Sequence, residues 1–367
     1  MPRRRSRGEG FLYYLKGKGL WVSKITLPDG TRKVKYGKLQ KDVRDHHLNA
    51  LRQVKEGLMP KDDTITVAQF VTNYMETVGK HNLRPKTIES YSSLLKTHIV
   101  PGLGKTRLSQ LRPDHLQTLY SQKLESGLSK RTVHFIHSLM HKFLDQALKW
   151  GMVVRNVADL VEAPSPVRRQ LTVWNREEVN KFLNHVKENN PRFFPLYVLA
   201  IYGGFREGEV LGIHKNDVSL LKGTVTVNHA VQYLMGKGVV ITEPKTDRSR
   251  RSVKLPATAL NVLKIHTEGM ESNQLLFTTD SGKPINPRFL VKKFKENLKE
   301  AGVPEIRFHD LRHTSATLLL SANVHPKVVQ ERLGHSSITL TLDTYSHVMN
   351  DIQDEAAEKL DVYLSHP

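Results

Sequence analysis

Apolar and polar positions change period several times along the chain, and each change marks an element. Residues 11–15, 21–25 and 33–36 are short, alternating and rich in aromatic and β-branched side chains. Gly-rich turns and Pro28-Asp29-Gly30 separate them, which predicts three strands. Over about 40–56 the spacing lengthens to that of a helix, with Val43, Leu48, Leu51 and Val54 as the expected core face and Gly57 as the stop. The stretch 64–163 reads as nearly all helix, over about 66–79, 86–99, 113–125 and 129–150. Pro85, Pro101-Gly102, Pro113 and Gly127 punctuate it, with Thr87, Asp114 and Ser129 placed to cap helices or fill their first turns. Val133, Ile136, Met140, Phe143, Leu144, Ala147 and Leu148 form one apolar stripe, as a four-helix bundle requires.

The run Ala163-Pro-Ser-Pro-Val-Arg-Arg-Gln170 has linker composition and no periodicity. Helices are expected again at 176–188 and 193–203, then strands at 223–227, 229–234, 239–242 and 252–255, then helices from about 257 onward. That order predicts an α+β, mostly helical domain rather than a parallel nucleotide-binding sheet. A final amphipathic helix, 351–364, carries Ile352, Ala356, Leu360, Tyr363 and Leu364 near one face. At 367 residues the chain exceeds what one core organises. The expected architecture is therefore multidomain: a small basic β-sheet plus helix over 1–60, an all-α bundle over 64–165, the α+β domain over 170–350, and a tail, 351–367.

Charge adds a partner to this layout. The net charge is +20, and residues 1–60 hold 15 Lys and Arg against 5 Asp and Glu, half of the excess in about a sixth of the chain. A polyanion is the expected ligand, because cationic side chains release the counterions condensed on DNA or RNA. A basic sheet can lay a strand face in a major groove; the same residues would also suit a solvated tail that folds only on DNA. No apolar run approaches a membrane span and no lipidation motif is present, so a membrane partner is not expected. With no cysteine there are no disulfides or thiolate metal sites, in keeping with the reducing cytoplasm.

Familiar catalytic signatures are mostly missing. Gly102-Leu-Gly-Lys-Thr106 looks like part of a phosphate loop, but Ile99 stands where the first glycine is needed. His309 and His313 are an i,i+4 pair without an obvious third ligand, so neither a metal nor any other cofactor is expected. What stands out is an ordered set: Gly203-Gly-Phe-Arg-Glu-Gly-Glu-Val-Leu211, His309-Asp-Leu-Arg-His-Thr314, Leu333-Gly-His335 and Asp343-Thr-Tyr-Ser-His347. At these residues the chain resembles the tyrosine recombinase family, the phage integrases, strongly over about 170–350 and in module order before it.

The resemblance implies Arg206 and Arg312 as clamps on a scissile phosphate, Glu209 holding the first, and His309 and His335 completing the site. It implies Tyr345 as the nucleophile that leaves a 3′-phosphotyrosine, and Lys245 as general acid for the departing 5′-oxygen. The chemistry suits the residue types. Two guanidinium forks can bind the charge that develops on the non-bridging oxygens, and a phenol leaves readily enough to make the link reversible without ATP. Lys245 shares its loop with Arg248, Arg250 and Arg251, whose simpler reading is a basic loop gripping the DNA backbone. The resemblance further implies an arm-site-binding domain at 1–60, a core-binding domain at 64–165 and a catalytic domain at 170–350. Its partners would be double-stranded attachment sites, three further copies in a homotetramer, a host DNA-bending protein and an excision factor. Its location would be the cytoplasm, on the bacterial nucleoid when bound to DNA. The tail either folds back on its own domain or docks on a neighbouring subunit. Two other readings stay open at this point, a type IB topoisomerase and a non-catalytic DNA-binding regulator.

Overall fold

The structure is a computed structural model, and it describes residues 10–26, 32–55, 64–166, 172–243, 250–334 and 360–365. The chain divides into two compact units, Met1–Arg168 and Arg169–Pro367. The architecture is mostly helical with small sheets.

The first unit opens with an antiparallel sheet of β1 (Phe11–Leu15), β2 (Leu20–Thr26) and β3 (Arg32–Gly37), in the order β1-β2-β3. Helix α1 (Gln40–Lys55) follows. Its buried face is the expected one only in part. Val43, His47 and Ala50 are buried while Leu48 is 56% exposed, because the contact stripe runs through i, i+4 and i+7 from Val43 and Leu48 lies off it. His47 brings a polar atom into this small core and satisfies it on Ser23 Oγ, 2.9 Å away and also buried.

The rest of the unit is the bundle. Helix α2 (Val67–Tyr74) starts at a capping box: Thr66 Oγ1 accepts from Gln69 N–H at 3.3 Å and Gln69 Oε1 from Thr66 N–H at 2.9 Å. It continues through a π-helical turn, Met75–Gly79, into the short α3 (Lys80–Asn82). Helix α4 (Pro85–Leu94) likewise passes through a π-turn, Leu95–Ile99, into α5 (Val100–Leu103). Helices α6 (Pro113–Glu125) and α7 (Lys130–Lys149) complete it, with Ser129 Oγ capping α7 through Thr132 N–H. The expected α7 stripe is buried from Val133 to Ala147, but Leu148 is 36% exposed, one position too far round the helix.

In the second unit, α8 (Arg176–Asn189), α9 (Phe194–Gly203) and α10 (Glu207–Leu211) precede the strands. Strands β4 (Val218–Ser219), β5 (Thr224–Thr226) and β8 (Ser252–Lys254) form one antiparallel sheet, and β6 (Ala230–Leu234) pairs with β7 (Gly238–Thr242) in another. Helices α11 (Ala257–His266), α12 (Pro287–Ala301), α13 (Asp310–Ser321) and α14 (Pro326–Leu333) follow. Helix α9 is buried almost all round, so it is the axis of this core. Trp174 locks the start of the unit onto its end: its backbone N–H donates to Thr314 Oγ1 at 3.2 Å and its indole N–H to the Pro304 carbonyl at 3.0 Å. Of the expected tail helix, residues 360–365 are helical; 351–359 lie outside the described residues.

Candidate active site

Helix α9 ends at Gly204 in the left-handed region, φ 62°. Any Cβ there would also sit 2.7 Å from Leu333 Cδ2, so glycine is the residue that fits. The chain turns through Phe205 and presents Arg206 as the extended residue capping α10. Glu209, one turn on, reaches back. Its Oε2 accepts from Arg206 N–H at 2.9 Å and its Oε1 from Arg206 Nη1 at 2.6 Å. The sequence-level expectation that Glu209 holds Arg206 is therefore met in geometry.

The second partner of Glu209 contradicts the reading of Arg251 as part of a DNA-gripping basic loop. Its guanidinium is only 7% exposed and forks onto the same carboxylate, Nη1 to Oε1 at 3.1 Å and Nη2 to Oε2 at 2.8 Å. Its Nε donates to the Arg332 carbonyl at 2.8 Å, and the group lies 5.5 Å from the Phe205 ring centre. Burial of Glu209 would raise its pKa. The hydrogen bonds and charge of Arg251, joined by Arg206, overcome that and hold the carboxyl at about 2. Arg206 itself is 38% exposed, so one arginine of the pair faces inward as a brace and the other keeps an open face. The signal was present in the sequence: Arg251, Val253 and Leu255 alternate along β8 and its two flanking residues, Val253 and Leu255 are buried, and the Arg251 side chain is 7% exposed.

Arg312, on the first turns of α13, is 2% exposed. Its Nη1 donates to the Gly204 carbonyl at 2.7 Å and its Nη2 to the Leu333 carbonyl. Those carbonyls lie two residues before Arg206 and two before His335, so a single planar cation fixes three separate segments. Arg332 ties the same place from outside, Nη1 to the Lys254 carbonyl and Nη2 to the Tyr202 carbonyl, both at 2.6 Å. No sequence motif pointed to it.

His309 precedes α13. Burial, then the positive charges of His313, Arg312 and Arg206, push its pKa down to about 4, against a smaller opposing pull from Asp310. It is a neutral imidazole at neutral pH, able to donate or accept one hydrogen bond beside the arginines. Its ring meets that of His313 edge-on, centres 5.2 Å apart. The turn into α13 is set by Arg307, whose backbone N–H, Nε and Nη2 all bond Asp310, at 2.8, 3.0 and 2.6 Å. Glu207, missed in the sequence, is held by burial at a pKa of about 7. The structure thus brings Arg206, held by Glu209, together with His309 and Arg312, whose charges both act on the His309 ring. Lys245, His335 and Tyr345 lie outside the described residues; Gly334, φ 65°, caps α14 immediately before His335.

Comparison with known proteins gives the chain a family. Residues 173–351 match the phage integrase family, and residues 66–124 match its N-terminal SAM-like domain. An integrase from Saccharopolyspora erythraea is 26% identical over 95% of each chain, and the ICEBs1 integrase of Bacillus subtilis is 24% identical over 88% of this chain and 90% of its own. Among solved structures, the Tn1549 transposon integrase in complex with circular intermediate DNA matches with a TM-score of 0.70 at 18% identity, covering 80% of this chain and 99% of that one. A lambda integrase tetramer bound to a Holliday junction matches with a TM-score of 0.60 at 18% identity, covering 93% and 96%. With two family segments in the expected order and full-length relatives of one kind, the chain belongs to the phage integrase family of tyrosine recombinases.

Proposed function

We propose that the chain is a site-specific DNA recombinase that cleaves and rejoins strands through a 3′-phosphotyrosine at Tyr345, integrating or excising a mobile element. The observation that carries the reading is the brace of Glu209 and Arg251 behind Arg206, together with Arg312 bound to the carbonyls of Gly204 and Leu333. It is a rigid cationic seat whose donors are oriented before any substrate arrives, which is what transition-state charge on a phosphodiester rewards.

In this reading Arg206 and Arg312 bind the non-bridging oxygens. His309, neutral, donates a hydrogen bond to one of them or orients the nucleophile. The Tyr345 hydroxyl passes its proton to the neutral imidazole of His309 or to water as its oxygen attacks phosphorus, the P–O5′ bond breaks, and Lys245 protonates the leaving 5′-oxygen; His335 completes the seat. Rejoining is the same step reversed by a 5′-hydroxyl, so the bond energy is kept. The domain assignments follow: 1–60 for arm sites, 64–165 for core sites, 170–350 for catalysis, and 351–367 as a tail exchanged between subunits of a homotetramer. The DNA complexes solved for the transposon and lambda integrases support DNA as the partner; a host DNA-bending protein, an excision factor and a place on the bacterial nucleoid belong to the same proposal. Among the described residues no helix is long and apolar enough to cross a membrane.

The test is a nicked suicide substrate carrying the native core site, incubated in EDTA and run on a denaturing gel. A covalent protein–DNA band from the native chain and none from Tyr345→Phe supports the reading. DNA binding without an adduct from either protein overturns it and leaves a non-catalytic DNA-binding regulator.

A further inference from the structure

Among the described residues outside the catalytic cluster, His214, Asp217 and His229 each turn one ligand-type atom toward the others, all within 4.8 Å. Asp217 is buried and the two histidines are partly so, with ring centres 4.8 Å apart. We propose that these three side chains form a structural site for a divalent transition ion, Zn²⁺ being the natural occupant.

Three observations point the same way. His229 Nδ1 is buried and has no hydrogen-bond partner among the described residues, which leaves its desolvation uncompensated there. A coordinated ion would satisfy it. His214 Nδ1–H donates to the Gly212 carbonyl at 3.1 Å and lies 3.7 Å from Asp217 Oδ2, an outer contact of the kind that orients metal-binding imidazoles and that leaves Nε2 as the nitrogen for an ion. Asp217 is positioned from both sides: Asn228 Nδ2 donates to its Oδ1 at 2.7 Å and His214 N–H to its Oδ2 at 2.8 Å. Each carboxylate oxygen keeps a second lone pair for an ion. Two imidazoles with one carboxylate select zinc or a similar ion over magnesium or calcium. Donors on a tetrahedral zinc lie about 3.4 Å apart, so closing the set from 4.8 Å needs side-chain adjustment and no refolding.

The location gives the ion something to do. His214 lies three residues past the end of α10, and His229 immediately precedes β6. The two segments already meet backbone to backbone: a Cβ at Gly208 would lie 2.5 Å from the Val231 carbonyl oxygen, and one at Gly212 2.7 Å from that of His229. An ion there clips the exit of the helix that Arg206 caps to the strand pair whose far side, Thr242, opposes Ala230. It takes no part in strand cleavage, so the adduct assay in EDTA and the metal assay fail independently.

The untagged full-length protein, stripped with EDTA and dialysed, is titrated with Zn²⁺ against a chromophoric chelator. One tight equivalent is expected, weakened at least about tenfold in His214→Gln and His229→Gln and unchanged in the exposed control His81→Ala. No tight equivalent in the native chain, or one that survives both substitutions, overturns the site. Co²⁺ substitution in the native chain is a readout that needs no variant. One equivalent should give the intense visible bands of a four-coordinate ion, held by the three side chains and one water and bleached by Zn²⁺; a spectrum of hydrated Co²⁺ alone defeats the proposal.

Discussion

Replacing Arg251 by methionine keeps most of the aliphatic volume and removes the charge behind Glu209. In the native chain the two groups are 7% and 6% exposed, and the guanidinium supplies two of the carboxylate's hydrogen bonds and a third to the Arg332 carbonyl. Without it a buried carboxylate is left with Arg206 alone, which is 38% exposed. Breaking a buried pair from one side costs about 3–5 kcal/mol. We take about 3 kcal/mol because Arg206 remains, and that lowers Tm by about 6–12 °C in a domain of this size. The Glu209 pKa rises from about 2 toward the ordinary carboxylate range, since Arg251 is the main influence holding it down. Urea unfolding of native, Arg251→Met, Glu209→Gln and the double variant reads the coupling directly. The double variant should be more stable than the sum of the single losses predicts, because the uncompensated charge is gone. A single-variant loss under about 1 kcal/mol, or strictly additive losses, would refute the claim that Arg251 is a buried brace.

Two further outcomes follow from the same geometry. Glu207 has its pKa raised from 4.5 to about 7 by burial, so the unfolded chain loses that proton first. Its contribution to stability is full below about pH 4.5 and is lost as pH rises through about 7; Glu207→Gln should flatten that slope in chemical denaturation across pH 5–8, and an unchanged slope would remove Glu207 as its source. Gly204→Ala puts a Cβ at φ 62° and 2.7 Å from Leu333 Cδ2, on the residue whose carbonyl receives Arg312. A loss of about 1–2 kcal/mol with a larger proportional drop in covalent adduct is expected in paired unfolding and cleavage assays.

Much of this was legible in the sequence, where local pattern and tertiary demand agree. The three N-terminal strands, the α7 stripe and helix α6 fall where alternation, helical spacing and Pro113 put them. The π-turns at Met75–Gly79 and Leu95–Ile99 were not, because no residue type marks a one-residue slip in a hydrogen-bond ladder. Leu48 misled for a different reason: with a sheet this small, the face of α1 that packs is decided by Val43 and by the His47–Ser23 bond rather than by the count of leucines. In the site, Arg206, Glu209, His309 and Arg312 could be chosen by order and spacing. Arg251 and Arg332 hide among many basic residues, and only the strand alternation of Arg251 with Val253 and Leu255 separates one of them from solvent-facing charge. The His214, Asp217 and His229 set is spread over sixteen positions and becomes a group only when α10 and β6 meet.

The most direct test of the central claim is to identify the atom that joins the protein to DNA. Covalent complex trapped on a suicide substrate in EDTA is digested with nuclease and protease, and the modified peptide is sequenced by mass spectrometry. The account predicts a nucleotide attached through its 3′-phosphate to the hydroxyl oxygen of Tyr345. A nucleotide on any other residue, or a 5′-phosphate linkage at Tyr345, would contradict it.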